Sequence, residues 1–288
     1  MSTKFITAGL LVLMGAMSHA ETLDLLVTPK ELSAYIETNP VRIIDARGRA
    51  RWYRRSHIPG AVFIPVETVF DKIDGVKGRL PPVEQVVAAF EAVGIGTDMP
   101  VVIYDSSDGL WASRYFWALE YLGHQSVHLL EGGFDEWRRE GLAVSKSAPD
   151  YPPARFYLQL RADLYVSSES MQEQVDNNEI VIVDSRSARE YVGRKSYSKR
   201  KGRIPGAVNI DWEDHLVDGG SFLPVNDLEL LYADQGVSKD DIIIAYCQAG
   251  VRAAHAYFTL RMLGYSSVAL YDDSWEFWGN VEETPIEK

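Results

Sequence analysis

The chain has 288 residues, with 29 Lys and Arg against 41 Asp and Glu and a formal charge of −12. That balance disfavours a general nucleic-acid or anionic-membrane binder, and any anionic substrate must be attracted by a local site. One cysteine, Cys247, excludes an internal disulfide, and it and six scattered histidines do not supply the clustered ligands of a zinc site.

Met1-Ser2-Thr3-Lys4 is a short basic stretch ahead of an apolar run from Phe5 to Met17. That run falls short of the about 20 residues a bilayer span needs. Ser18-His19-Ala20 then supplies small residues at a cleavage point, so residues 1–20 read as a secretory signal peptide and the mature chain is expected to start near Glu21. No cysteine follows the cut, which argues against a lipoprotein. The expectation is a periplasmic or secreted protein with no membrane-bound part.

Beyond Glu21, short β-branched runs alternate with helical patterns. Val41 to Asp45 and Val101 to Tyr104 read as strands, Val83 to Val93 and Ala112 to Leu122 as helices. Ala148-Pro149-Asp150-Tyr151-Pro152-Pro153 disfavours regular structure and marks a linker, taken as 148–158. Ser167 to Asn177 and Ala253 to Leu263 then read as helices, with strands at Val181 to Asp184 and Ile242 to Tyr246. The alternation predicts an α/β fold in which each of two domains, 21–147 and 159–288, holds a mostly parallel sheet flanked by helices.

The two domains are copies of one plan, offset by about 140 residues, a period too long for a solenoid repeat. Val41 to Arg47 answers Val181 to Arg186, with Asp45-x-Arg47 matching Asp184-x-Arg186. His57-Ile58-Pro59-Gly60-Ala61-Val62 answers Arg203-Ile204-Pro205-Gly206-Ala207-Val208. Val101 to Asp105 answers Ile243 to Cys247, and Leu129 to Trp137 parallels Leu270 to Trp278. The copies differ where chemistry would lie: Asp105 stands at the position of Cys247, and the loop after it is one residue longer.

Cys247 follows an apolar run and precedes Gln248-Ala249-Gly250-Val251-Arg252 and a helix. Strand, tight loop and helix aim backbone N–H groups and a helix N-terminus at one sulfur, which favours thiolate and should lower the thiol's pKa. Ligands of such sheets bind at the carboxyl ends of the strands, where this residue falls. A carboxylate cannot replace a thiolate as a sulfur carrier, so the first domain is expected to be inactive and to contribute one wall of a cleft.

The ordered set of motifs resembles the rhodanese family of sulfurtransferases in its tandem-domain form. It comprises Asp-x-Arg and Ile-Pro-Gly-Ala-Val in both halves, the Cys247 to Arg252 loop, Glu131-Gly132-Gly133-Phe134, and Tyr271-Asp272-Asp273-Ser274-Trp275. The resemblance implies an enzyme that takes a sulfane sulfur onto Cys247 as a persulfide and hands it to cyanide or a thiol, with no cofactor. Its donor would be a small anion, thiosulfate or 3-mercaptopyruvate, and a protein thiol is a further possible acceptor. Backbone N–H groups of Gln248, Ala249, Gly250, Val251 and Arg252 would cradle the sulfur anion, and Gly250 suits the tight curl. Gln248 offers an amide donor, while Arg252 supplies a fixed charge or ties the loop to a carboxylate. Arg186 and Trp275 complete the expected substrate-side residues, although bracing by Asp184–Arg186 and packing by Trp275 are the favoured readings of each. His255, one turn into the helix, is read as a helix-surface or packing residue.

The loop matches neither common subtype of the family. Mercaptopyruvate enzymes carry a small hydroxyl-bearing loop and an arginine where this chain has Glu190, and a carboxylate there would repel a carboxylate donor. Thiosulfate is therefore the preferred expectation. Cysteine phosphatases place their arginine six residues after the cysteine; here Arg252 is five after it and Ala253 takes the sixth place, which fits one sulfur better than a phosphate. A non-enzymatic sulfur carrier or redox partner with the same loop is a third reading. The second copy also has seven extra residues before its Ile-Pro-Gly turn, and the ten residues 194–203 of that region hold Arg194, Lys195, Lys199, Arg200, Lys201 and Arg203, a basic rim that would draw anionic donors or dock a protein.

Overall fold

The computed structural model describes residues 23–106 and 108–288, so the expected leader, residues 1–20, lies outside the described residues. In the first half the β-branched runs form β1 (Leu26–Val27), β2 (Arg42–Asp45) and β3 (Ala61–Phe63), then a hairpin of β4 (Asp71–Ile73) and β5 (Val76–Arg79), then β6 (Val101–Tyr104) and β7 (Val127–Leu130). The second half supplies β8 (Tyr165–Val166), β9 (Ile180–Asp184), β10 (Val208–Asn209), β11 (Ile242–Tyr246) and β12 (Val268–Tyr271). The five-stranded sheets have the orders β1-β7-β6-β2-β3 and β8-β12-β11-β9-β10, parallel throughout. The orders superimpose position for position, so the sequence repeat is a repeat of topology.

All four residues of β6 and of β12 are buried, as strands covered on both faces must be. One face of each sheet joins a shared core, which runs from Ile44 and Phe116 in the first half to Ile243 and Phe258 in the second. The opposite faces close over separate clusters, one around Leu32 and Trp137 and the other around Met171 and Trp278. The shared core is built on two equivalent helices, Leu110–Tyr121 and Val251–Met262, which pack against each other. Phe116 meets Phe258 edge-on at 4.9 Å between ring centroids. Residues Ala112 to Leu119 and Ala253 to Leu260 are buried without a break, because these helices have a sheet on one side and each other on the next.

Both helices begin two residues before the sequence pattern suggests, at a glycine in the left-handed region: Gly109 at φ +71° and Gly250 at φ +77°. The helix expected over Ser167 to Asn177 is shorter, Ser168–Gln174, with Ser167 as its cap. Residues 148–161 carry no helix or strand and run along the first half, where Phe156 N–H meets Glu91 Oε1 at 2.8 Å and Tyr151 Oη donates to the Gly60 carbonyl at 3.1 Å. Among the described residues no helix is long and apolar enough to cross a membrane.

Candidate active site

Cys247 sits one residue past the end of β11 and is 1% exposed. Its loop turns at Gly250 into the Val251–Met262 helix, whose ladder begins when Ala254 N–H donates to the Gly250 carbonyl at 3.0 Å. Among the described residues, the backbone N–H groups of Gln248 through Ala253 find no protein acceptor. Donors at a helix start need partners, and a thiolate, persulfide or donor anion beside Cys247 is chemically matched to them.

The first half provides the contrast. There the carboxylate of Asp105 accepts the N–H groups of Gly109 at 3.1 Å, Trp111 at 3.0 Å and Ala112 at 3.2 Å, and Asp108 accepts that of Leu110 at 3.2 Å. This half therefore answers its own helix N-terminus with its own side chains. Burial and the charge of Asp108 push Asp105 up to about 7, against the pull of those N–H groups. A cavity of about 460 Å³, lined in part by Arg47, Trp52 and Trp111, opens beside it.

The Cys247 backbone is held on both sides. Its N–H donates to Ser274 Oγ at 3.1 Å and its carbonyl accepts from Trp275 N–H at 2.9 Å, while the Gln248 carbonyl accepts from Glu276 N–H at 2.8 Å. Ser274 takes φ +51° to make this strap. Beyond the loop, Arg252 forms a two-point ion pair with Glu190, Nη1 to Oε2 at 2.9 Å and Nη2 to Oε1 at 3.0 Å. Burial raises the Glu190 carboxyl, but the Arg252 hydrogen bonds and charge outweigh it and bring the value down to about 2. Burial acts against the Arg252 cation too, yet hydrogen bonding to Glu190 and the nearby Cys247 and Glu190 raise its pKa. Arg252 thus lies within electrostatic reach of both the carboxylate and the sulfur.

Of the expected site residues, Cys247, Gln248, Ala249, Gly250, Val251 and Arg252 form this one loop, with Gln248, Ala249, Val251 and Arg252 partly exposed. The Gln248 amide nitrogen donates to Ser198 Oγ at 3.1 Å and to Glu276 Oε2 at 3.0 Å. Arg186 and Trp275, grouped with the substrate-side residues, are fully buried. Arg186 grips Asp184 through Nε at 2.9 Å and Nη2 at 2.6 Å, donates to the Gly202 carbonyl, and lies 4.4 Å over the Trp275 ring. Nε and Nη2 of Arg186 thus brace Asp184 while its Nη1 is buried without a partner among the described residues; Arg47 repeats the grip on Asp45. His255 is buried against Phe222 and His215, and burial pushes it down to about 3, so it is a neutral packing residue.

In the basic insertion, Arg200 and Arg203 turn inward onto the C-terminal tail, where Arg200 donates to the Thr284 carbonyl and Arg203 pairs with Glu287. Arg194, Lys195, Lys199 and Lys201 stay exposed. Among the described residues, no group of three or more His, Cys, Asp or Glu side chains is placed to hold a metal ion. The sequence reading missed the β4–β5 hairpin, which touches the cysteine loop. Its signal was Asp74-Gly75 between two short extended runs, a two-residue turn whose residues both take positive φ, +51° and +85°.

A rhodanese-like domain family model matches residues 28–140 and 167–280. The chain is 32% identical to the sulfur carrier protein TtuD of Thermus thermophilus, over 92% of this chain and 97% of that one. It is 29% identical to a thiosulfate sulfurtransferase of Pseudomonas aeruginosa, over 94% of this chain and all of the other. Its fold matches the crystal structure of SseA from Escherichia coli, a 3-mercaptopyruvate sulfotransferase, with a TM-score of 0.80 and 29% identity, covering 88% of this chain and 99% of that one. With two matched domains, one carrying cysteine and the other aspartate at the same strand end, the chain belongs to the tandem-domain rhodanese family.

Proposed function

We propose that the protein is a sulfurtransferase that moves a sulfane sulfur from thiosulfate to a thiophilic acceptor through a persulfide on Cys247. The observation that carries this reading is the contrast between the halves: the N–H donors that Asp105 satisfies in one are unpaired around Cys247 in the other. In the first step the Cys247 thiolate attacks the outer sulfur of thiosulfate. A new S–S bond forms, the S–S bond of the donor breaks, and sulfite leaves with the electron pair. In the second step cyanide or a thiolate attacks the outer sulfur of the persulfide and Cys247 leaves as thiolate, restoring the enzyme. Sulfur carries negative charge before and after each step, so fixed N–H donors serve both.

Thiosulfate is favoured over 3-mercaptopyruvate because Arg252 spends both arms of its fork on Glu190, leaving no free pair of donors there for a carboxylate. Relatives named for both donors keep mercaptopyruvate as the alternative, and the relative named a sulfur carrier supports a second reading in which small donors turn over poorly. The leader-like residues 1–20 support export to the periplasm or medium, which fractionation of the tagged protein tests.

Steady-state rates with thiosulfate and cyanide test the main reading, with 3-mercaptopyruvate run beside it. Thiocyanate production that Cys247→Ser abolishes is the expected result. A protein that gains the mass of one sulfur from thiosulfate yet makes no thiocyanate would replace the enzyme with the carrier.

A further inference from the structure

The half without a cysteine reaches across to the half that has one. At the end of the hairpin, Arg79 donates through Nε to Asp273 Oδ1 at 2.5 Å and through Nη2 to Asp273 Oδ2 at 2.8 Å. The next residue, Leu80, donates its N–H to Asp272 Oδ2 at 2.8 Å. From the Leu110–Tyr121 helix, Arg114 brings Nη1 to 2.7 Å from Asp272 Oδ1 and ties the hairpin in, donating to the Gly78 carbonyl at 2.9 Å and to Val69 at 2.9 Å. Arg114 and Asp272 are both buried, so the pair has no water to loosen it.

Asp272 and Asp273 are the two residues before Ser274 and Trp275, which hold the N–H and the carbonyl of Cys247. The clamp also touches the loop directly. A Cβ added to Gly250 would come within 2.9 Å of Arg114 Nη1 and 3.1 Å of Asp272 Oδ1, and one added to Gly78 would come within 2.6 Å of the Ala249 carbonyl oxygen. Glycine at both positions lets the ion pair and the hairpin approach the bend of the cysteine loop. An unbroken run of bonds therefore leads from the first half, through two aspartates, to the backbone of Cys247.

We infer that Arg79 and Arg114 are positioning residues for the sulfur chemistry of the other half, setting where the Cys247 sulfur stands against its N–H donors. The inference rests on the persulfide reading of Cys247, but its first consequence is the reactivity of the thiol, which needs no turnover. A sulfur displaced from fixed donors loses thiolate stabilisation and attack geometry together. The arginine fork, matched to the two oxygens of Asp273, is what lysine cannot reproduce.

The test compares wild type, Arg79→Gln, Arg79→Lys and Arg114→Gln by the pH midpoint of Cys247 alkylation with iodoacetamide, by kcat and KM for thiosulfate, and by thermal midpoint. Both changes remove a cation from a buried aspartate, but Asp273 keeps the Ser168 hydroxyl as a donor at 2.5 Å and Arg79 is partly exposed, so Arg79→Gln supplies the variant that keeps its fold. The expected result for Arg79→Gln is an alkylation midpoint raised by about half a pH unit and a kcat lowered about tenfold with KM little changed, Arg79→Lys falling between it and wild type. A lower thermal midpoint with wild-type alkylation and kcat would make Arg79 a structural tie and overturn the inference. If the persulfide reading alone fails, wild type makes no thiocyanate while the alkylation shift persists.

Discussion

Arg252 and Glu190 meet through two parallel hydrogen bonds, at 2.9 and 3.0 Å, on the rim of the cysteine loop. The pair alters the meaning of both residues. Glu190, whose charge would repel an anionic donor, is neutralised by Arg252, and Arg252 is held as one fixed charge near the sulfur. A buried carboxylate paired in this way is costly to leave alone, which ties the loop to the Ala188–Tyr191 turn of helix.

Glu190→Gln keeps the shape and removes the charge. It should destabilise the protein by about 2 kcal/mol and, by freeing the Arg252 charge, lower KM for both thiosulfate and 3-mercaptopyruvate. Glu190 also marks a pH window. Its folded-state value of about 2 lies below the ordinary carboxylate value of 4.5, so its stabilisation is present above that value and is lost as pH falls toward 2. The stability difference between wild type and Glu190→Gln, measured by urea unfolding, should shrink across that interval. A constant difference would dissociate the shift from the ion pair.

Asp105 behaves with the opposite sign. Its carboxyl is raised from 3.8 to about 7, so stability present below the ordinary value declines as pH climbs through 7 and the buried group ionises. Asp105→Asn keeps a carbonyl for the helix N-terminus and cannot ionise. Thermal midpoints from pH 4 to 8 should therefore move in favour of the variant as pH rises.

Gly250→Ala places a Cβ on a residue at φ +77° and against the Arg114–Asp272 pair. Backbone strain and the displaced ion pair together should cost about 2–4 kcal/mol and lower kcat for thiosulfate more than they raise KM. Urea unfolding and initial rates check the two parts; wild-type values in both would show that the bend has room the contacts do not suggest.

The shared core predicts that the two halves unfold together. Phe116→Ala should cost about 3–5 kcal/mol and weaken both halves, because Phe116 packs on Phe258 and Tyr257 of the other half. Calorimetry of wild type should show one transition. Two separate wild-type transitions, with only the lower one moved by the variant, would show that the halves fold independently.

Much of this protein was legible in its residues. Periodic β-branched runs and turn residues imposed parallel sheets, the repeat imposed the second copy of the topology, and comparison of the copies singled out Cys247 against Asp105. These features are local or internal to one half, and spacing along the chain records them. Reach across space is not recorded that way. Arg114 and Asp272 lie 158 positions apart, Arg79 and Asp273 194, and no periodicity links either pair. Arg186 and Trp275 lie 89 positions apart, yet the fold buries both and lays the guanidinium 4.4 Å over the indole ring. The sequence by itself determined a duplicated α/β chain with one nucleophile. Only the tertiary structure decided that the cysteine-free half holds the cysteine's loop in place, because packing the two equivalent helices against each other brings charges distant in sequence to one buried interface.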